Sequence, residues 1–287
     1  MQEEAEANKT VTELPDKAEL RLLKRKSRAF ELDFIRGLAM CVMIWQHTAY
    51  DLRYIFGYNI FSCIEPDNKI FWGFVHPFFL SCFVVVSGIC CQFSKNNFRR
   101  AIKLGIIAIL FTVGTVTADH FLNLGCTVYF NVLHLLTIGM FLFAIFDKVE
   151  QKKTGSRESR GGTMFLLAVL LVFFILTRAV PYYDGVFKTP WIFIAGLEPA
   201  AGFSITTLHM ADHIGIVPWL GMFFFGVVIG RMAYKEKKTF FPGAPKAVRV
   251  VSAPIEWIGR HSLIIYLVHQ PLIMGILKGL QFLGVIK

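Results

Sequence analysis

The chain has 287 residues and a formal net charge of +10, and 55% of its residues are hydrophobic, including 29 phenylalanines. This balance, with a mean hydropathy of +0.54, excludes a soluble domain of ordinary composition and indicates an integral membrane protein. The positive charge does not indicate nucleic-acid binding, because it is concentrated in polar segments at the ends of the apolar runs.

Seven apolar runs are candidates to cross the bilayer, judged against the ~20 residues that a helical span needs. They lie at Phe34–Tyr50, Phe71–Phe93, Leu104–Thr117, Tyr129–Phe146, Met164–Val180, Ile214–Gly230 and Ile258–Leu280. The third run is short, and we expect its helix to begin under the basic segment before it and to reach His120. The sequence therefore predicts an all-α, polytopic membrane protein with about seven transmembrane helices.

The basic residues predict the orientation of these spans. Residues 1–28, 95–103, 148–160 and 231–249 carry 22 of the 30 Lys and Arg residues. Because cytosolic loops are enriched in Lys and Arg, the N-terminus is expected in the cytosol and, with seven spans, the C-terminus outside. The expected localisation is the cell (cytoplasmic) membrane, as a multi-pass protein.

The domain organisation predicted from the sequence is simple. Residues 1–30 form a polar, basic cytosolic tail without the features of a signal peptide, and residues 31–287 form a single transmembrane domain. Cytosolic loops are expected near 95–103, 147–163 and 231–253. The outer segment 181–213 is too apolar for a freely solvated loop and is predicted to be lid-like. A disulfide between Cys63 and Cys126, both in predicted outer loops, is left open.

Polar residues inside the spans are the first candidates for function, because their insertion into a bilayer is unfavourable. Histidines are frequent near the predicted outer ends of the spans, at positions 47, 76, 120, 209 and 213, with His134 about one turn further in. They predict an outward-facing cavity whose walls exchange protons near neutral pH. The alternative is that such histidines only line the headgroup region. His209 and His213 are four residues apart, but no metal site is predicted.

The first helix carries the most informative pair. Arg36 and His47 are eleven residues apart, which places them on one helical face with ~16 Å between them. Asp33 lies on the same face as Arg36, near the cytosolic boundary. Further basic residues follow the second helix and begin the last one, and together they predict a cytosolic mouth that binds phosphates. This basic set is Arg36, Arg99, Arg100 and Arg260. In the second helix, His76 and Ser87 repeat the spacing of eleven residues.

Five motifs in order resemble one family. They are the pattern D-x-x-R-G-L-A from Asp33, HPFFLSCFVVVSG at His76–Gly88 with SKNNFRR at Ser94–Arg100, FNVLHLLTIGM at Phe130–Met140, ADHIGIVPWLGMFFFGVVIGR at Ala211–Arg231 and PIEWIGRHSLIIYLVHQPL at Pro254–Leu272. The set is similar to prokaryotic relatives of the heparan-alpha-glucosaminide N-acetyltransferase catalytic domain, within the transmembrane acyltransferase superfamily that includes acyltransferase family 3. The chain lacks the large luminal domain of the eukaryotic enzyme, which also has asparagine where His47 stands.

The resemblance implies acetyl transfer from cytosolic acetyl-CoA to a hydroxyl or amine of an extracytoplasmic sugar or glycan. It implies His47 as the histidine of the first helix, Arg36 as the arginine before it, and Arg99 and Arg100 as the basic stretch after the second helix. We expect His47 to act as the general base for direct attack, with an acyl-histidine as the alternative.

The remaining site residues are predicted from their positions in the spans. Asp212, His134 and His269 are expected to orient the base or to stabilise the oxyanion. Asp33, Ser87 and Arg260 are expected to complete the site for acetyl-CoA, which serves as the acyl-donor substrate. His76, His213 and Trp219 are expected to contact the acceptor.

Two other functions fit part of the pattern. A proton-coupled transporter or permease of small solutes also uses intramembrane Arg and His, but it would need discontinuous helices or an inverted repeat, which the sequence does not show. A structural subunit would scatter its polar positions around the helices. The expected partners are acyl-CoA, a sugar or glycan acceptor and the lipid bilayer, without nucleic acid. The family resemblance also implies a homodimer, although no motif requires one.

Overall fold

Helices form every regular element in the residues that the structure describes. The computed structural model describes residues 29–58, 61–65, 68–122, 126–156, 158–179, 212 and 214–286. The α-helices in these ranges are α1 (Phe30–Tyr50), α2 (His76–Phe93), α3 (Asn97–Leu122), α4 (Val132–Thr154), α5 (Arg160–Ala179), α6 (Trp219–Ala233), α7 (Lys246–Arg260) and α8 (Ser262–Phe282). One π-helical turn, Asp51–Ile55, extends α1, and another, Phe71–Val75, leads into α2.

These helices confirm the predicted all-α membrane protein. Four helical segments are long and apolar enough to cross a bilayer, namely Phe71–Phe93, Asn97–Phe121, Val132–Thr154 and Ser262–Phe282. Two shorter apolar helices, Arg160–Leu176 and Trp219–Ala233, match the fifth and sixth predicted spans. The first predicted span lies within α1. The orientation of the spans stays a prediction.

The structure corrects the start of the last predicted span. The last span was predicted to begin at Ile258. In the structure the helix breaks at His261, and α8 begins at Ser262. The residues before the break form the separate helix α7, whose first part lies in the predicted 231–253 loop. Charged residues recur along one side of α7, at Arg249, Glu256 and Arg260, so this helix is amphipathic and does not continue the apolar span.

The other predicted loops are also partly helical. Helix α3 begins at Asn97, inside the predicted 95–103 loop. Helix α4 continues to Thr154 and α5 begins at Arg160, so the predicted 147–163 loop shrinks to a short connection. Residues 1–28 of the predicted tail, and residues 181–211 and 213 of the predicted lid, lie outside the described residues. Cys63 and Cys126 are free thiols.

Glycines allow two pairs of helices to touch backbone to backbone. A methyl group on Gly88 of α2 would overlap the carbonyl oxygen of Phe223 in α6, and one on Gly226 would overlap that of Val85. In the same way, a methyl group on Gly37 of α1 would overlap the carbonyl oxygen of Ile255 in α7. These contacts leave no room for a larger residue and fix α2 on α6 and α1 on α7.

A buried ion pair joins α4 to α6 near the connection between α4 and α5. The Glu150 carboxylate contacts the Arg231 guanidinium, and both residues are buried, with exposed fractions of 5% and 2%. Ser159, just before α5, donates to Glu150 from its backbone N–H (2.9 Å) and its hydroxyl (2.7 Å). Glu150 therefore joins the C-terminal ends of α4 and α6 to the start of α5.

Candidate active site

The centre of the site is a cavity of about 280 Å³ between α1, α2 and α8. Apolar residues such as Met40, Phe79 and Phe83 form much of its wall. Polar side chains reach it from the first, second and last helices and from the residues before α6. These polar wall residues are Gln46, His47, Tyr50, Trp72, His76, Asp212 and Tyr266. The cavity thus brings together three residues that the sequence predicted for the site: His47, His76 and Asp212.

His47 packs against a second histidine from α8. The ring centroids of His47 and His269 are 5.0 Å apart. His269 Nδ1 lies 2.7 Å from the carbonyl oxygen of Tyr266, and because a carbonyl only accepts, Nδ1 carries a proton. In the neutral ring Nε2 then holds a lone pair. This buried Nε2 has no hydrogen-bond partner among the described residues, and His269 itself is not part of the cavity wall.

Tyr266 joins Asp212 to the start of α4. Its hydroxyl donates to Asp212 Oδ2 at 2.5 Å and accepts from Asn131 Nδ2 at 3.1 Å. Asn131 caps α4, because its Oδ1 accepts from the Leu133 backbone N–H at 3.1 Å. Tyr266 is buried, with 5% of its surface exposed. This hydrogen-bonded chain holds the Asp212 carboxylate at the cavity wall.

His134 lies behind this chain and does not line the cavity. Its Nδ1 is 3.0 Å from Asn131 Oδ1 and its Nε2 is 3.2 Å from the Thr112 hydroxyl. It therefore reaches the cavity only through Asn131 and Tyr266. The predicted role of His134 stays a prediction, and the contact that links it to the cavity wall is the one with Asn131.

The Asp212 carboxylate is a negative charge close to three histidines. Its carboxylate acts electrostatically on His47, His76 and His269. His76 also packs on Trp72, with ring centroids 5.4 Å apart. An anionic carboxylate beside several imidazoles stabilises whichever of them accepts a proton. The arrangement is suited to general base chemistry inside the cavity.

A second carboxylate lies just past the end of α1, in the π-helical turn. Gln270 Nε2 donates to both oxygens of Asp51, at 3.1 and 2.9 Å. Asp51 is 2% exposed, and burial raises its pKa to about 6, although the hydrogen bond from Gln270 opposes this shift. Because Gln270 follows His269, Asp51 fixes the segment of α8 that carries the second histidine.

Two of the four arginines predicted to bind phosphate lie close together in the structure. Arg36 Nη2 lies 3.2 Å from Cys90 Sγ, and Arg100 Nη1 donates to the Cys90 carbonyl oxygen at 3.2 Å. Cys90 thus brings together two arginines from α1 and α3. Arg99 and Arg260 are exposed to solvent, and no contact between described residues joins them to this pair.

Three further predicted site residues have different surroundings. Asp33 is buried, with 7% of its surface exposed. The Ser87 hydroxyl donates to the Phe83 carbonyl oxygen at 2.8 Å, within α2. Trp219 begins α6 and packs against the hydrophobic core, outside the cavity wall. His213 lies outside the described residues, so its predicted contact with the acceptor stays a prediction.

Three residues that shape the site were not assigned a role from the sequence. Gln46 and Tyr266 line the cavity, and Asn131 holds the Tyr266 hydroxyl. All three are visible in the sequence as polar residues within or beside apolar runs. Tyr266 and His269 are also three residues apart and so share one face of α8. The missing signal was the pairing of Tyr266 with Asp212, which no local spacing reveals.

In the described part of the chain, no group of three or more His, Cys, Asp or Glu side chains is placed so that it could hold a metal ion.

Comparisons with known proteins give one match. No curated protein and no solved structure matches the chain. The sequence model described as "Heparan-alpha-glucosaminide N-acetyltransferase, catalytic" matches residues 28–271. This range contains α1 to α7 and the part of α8 that carries Tyr266, His269 and Gln270. The chain therefore belongs to the family of heparan-alpha-glucosaminide N-acetyltransferase catalytic domains.

Proposed function

We propose that this membrane protein transfers an acetyl group from cytosolic acetyl-CoA to a hydroxyl or amine of a sugar or glycan presented from the other side of the cell membrane. Membership of the family supports acetyltransferase activity in general. The observation that carries the finer proposal is the cavity in which His47, Asp212 and Tyr266 meet.

In the proposed reaction His47 is the general base. It takes a proton from the acceptor hydroxyl or amine, whose oxygen or nitrogen then attacks the carbonyl carbon of the thioester. The resulting tetrahedral oxyanion collapses, the carbon–sulfur bond breaks, and the CoA thiolate leaves and receives the proton from the His47 imidazolium. Asp212 stabilises that imidazolium through its negative charge.

The neighbouring residues have supporting roles in this proposal. His269 packs on the His47 ring and orients the base. His76 faces the same cavity and contacts the acceptor from α2. Tyr266 holds Asp212, and its ring forms part of the wall that excludes water.

The donor is proposed to bind with its phosphates beside Arg36 and Arg100, the pair that meets at Cys90. The rise of α1 between Arg36 and His47 is ~16 Å, which is comparable with the reach of the pantetheine arm. A phosphate at Arg36 therefore allows the thioester to reach His47. Arg99 and Arg260, which make no hydrogen bond to Cys90, would contribute long-range attraction more than direct contacts.

Purified protein in lipid nanodiscs tests this function with radiolabelled acetyl-CoA and a panel of amino sugars and glycans. We expect label on the acceptor and an equal release of CoA. His47→Gln should lower kcat by roughly 10²–10⁴-fold, whereas His120→Gln, which alters an exposed histidine of α3, should not.

The donor site is tested by Arg36→Gln. Loss of one charge-assisted contact should raise KM for acetyl-CoA by roughly tenfold to a hundredfold. Arg53→Gln is the matched control, because Arg53 pairs with Glu65 away from the proposed donor site. Solute uptake into vesicles without CoA release would identify a transporter. Acetyl transfer that is equal in wild type, His47→Gln and Arg36→Gln would contradict the proposal.

A further inference from the structure

Helix α7 is too short to cross a bilayer and has three distinct faces. Its 15 residues rise ~22 Å, less than the ~30 Å of a hydrocarbon core. The first face packs on α1 through Ile255 and Gly259, whose backbones touch Gly37 and Asp33. The second face carries Arg249, Glu256 and Arg260, and the third is apolar.

The apolar face is exposed. Val250, Val251 and Trp257 have exposed fractions of 72%, 77% and 55%. Two phenylalanines just before α7, Phe240 and Phe241, are exposed by 54% and 57%. We call the exposed apolar face of α7, formed by Val250, Val251 and Trp257, the apolar patch; exposed phenylalanines precede it in the chain. Valine and aromatic side chains of this kind are typical of helices that lie in the membrane interface.

Contacts with the first turn of α1 fix the depth of this segment. Glu31 accepts hydrogen bonds from the Tyr234 hydroxyl (3.2 Å), the Thr239 hydroxyl (2.7 Å) and the Phe240 backbone N–H (3.0 Å). The Arg249 guanidinium lies over the Phe30 ring at 4.6 Å. Tyr234, Thr239, Phe240 and Arg249 therefore lie at the N-terminal end of α1, which is the predicted boundary between the bilayer and the cytosol.

The charge around the patch is positive. Residues 235–260 contain six Lys or Arg residues and two Glu residues, and Lys235, Lys237 and Lys238 are exposed. A symmetric contact between two copies through this face would bring these positive charges together, which is unfavourable. Anionic lipid headgroups complement them.

We propose that α7 and residues 235–241 lie in the plane of the membrane interface and bind anionic phospholipid, with the apolar patch in the acyl region and the basic residues at the headgroups. This inference does not depend on acetyl transfer. It assigns to this segment a lipid-binding function, beside the helix that carries Arg36.

Fluorescence quenching in vesicles tests the proposal with the full chain. The fluorescence of Trp257 is obtained by subtracting the emission of the Trp257→Phe variant from that of the wild type. The vesicles contain phosphatidylglycerol and phosphatidylcholine in equal mole fractions. In one preparation the phosphatidylglycerol is brominated, and in the other the phosphatidylcholine is brominated. We expect both lipids to quench Trp257 and phosphatidylglycerol to quench it more strongly. Lys235→Gln and Arg249→Gln should each lower this selectivity by up to about fivefold.

Val251→Glu tests the apolar face itself. It alters an exposed side chain and leaves Ile255 and Gly259 in contact with α1, so the protein should fold while quenching of Trp257 falls. Val285→Glu is the matched control, since Val285 is 67% exposed and follows α8, and it should leave quenching unchanged. Equal quenching by the two lipids, or absence of quenching, overturns the proposal. Chemical cross-links between copies that disappear in Val251→Glu would instead identify a protein contact and would also overturn it.

Discussion

Replacing Tyr266 by phenylalanine removes one hydroxyl from the site and keeps the ring. That hydroxyl makes two hydrogen bonds, one to the Asp212 carboxylate at 2.5 Å and one from the Asn131 amide at 3.1 Å. A bond to a charged group contributes about 1.5–3 kcal/mol and a neutral one about 1 kcal/mol. Tyr266→Phe should therefore lower the free energy of unfolding by about 2–4 kcal/mol.

The assay is thermal unfolding of the purified protein in a mild detergent, followed by circular dichroism. A loss of this size corresponds to a decrease in Tm of roughly 4–16 °C. Tyr50→Phe is the matched control, because Tyr50 also lines the cavity but is 45% exposed and makes no hydrogen bond with another described residue. Its Tm should stay within about 2 °C of wild type, as for surface substitutions.

Tyr266→Phe should also change the kinetics of acetyl transfer. With Asp212 no longer held, kcat should fall while KM for acetyl-CoA stays close to the wild-type value, because the proposed site for the donor phosphates lies at the other end of α1. Combining Tyr266→Phe with Asn131→Ala should cost less than the sum of the single changes, by about 1 kcal/mol. If Tyr266→Phe and Tyr50→Phe have the same Tm, the hydrogen-bonded chain does not stabilise the site and the reasoning is refuted.

Three further predictions follow from packing and charge. Gly37→Ala should destabilise the protein by about 1–3 kcal/mol in thermal unfolding, whereas Gly114→Ala, with open space around it, should be neutral or stabilising by up to about 1 kcal/mol. Glu150→Ala leaves the Arg231 charge buried and should cost about 3–5 kcal/mol, while the double replacement Glu150→Leu with Arg231→Met should cost less. Burial raises the pKa of Asp51 to about 6 from 3.8, so the folded state binds the proton more tightly and stability should rise as the pH falls from about 6 to about 4. Asp51→Asn should remove that part of the pH dependence of Tm, and an unchanged pH profile would contradict this assignment.

The positions of the spans could be read from the sequence because the length of an apolar run is a local property. The runs that became α2, α4 and α6 needed no knowledge of their partners. Helix α7 was missed because its residues alternate between charged and apolar with helical spacing, and a search for long apolar runs passes over such a segment. The sequence could not show that two glycines, Gly37 and Gly259, allow the backbones of α1 and α7 to come into contact.

The site was predictable to the extent that it depends on helical faces. His269 on α8 was expected to act beside the base His47 on α1, and the two rings are in contact. The bond between Tyr266 and Asp212 joins residues 54 positions apart, and only the folded chain brings them together. Arg231 was counted with the cytosolic basic residues, yet it is buried against Glu150, 81 positions away.

The volume of the cavity has a consequence for the acceptor. At about 280 Å³, it lies just below the roughly 300–1,000 Å³ of pockets that enclose drug-sized ligands. The acetyl thioester and one sugar ring would fill such a space, and the rest of a long glycan would have to stay outside. Under the proposed function, we therefore expect the protein to distinguish glycans by the single sugar unit that occupies the cavity, with little dependence on their length.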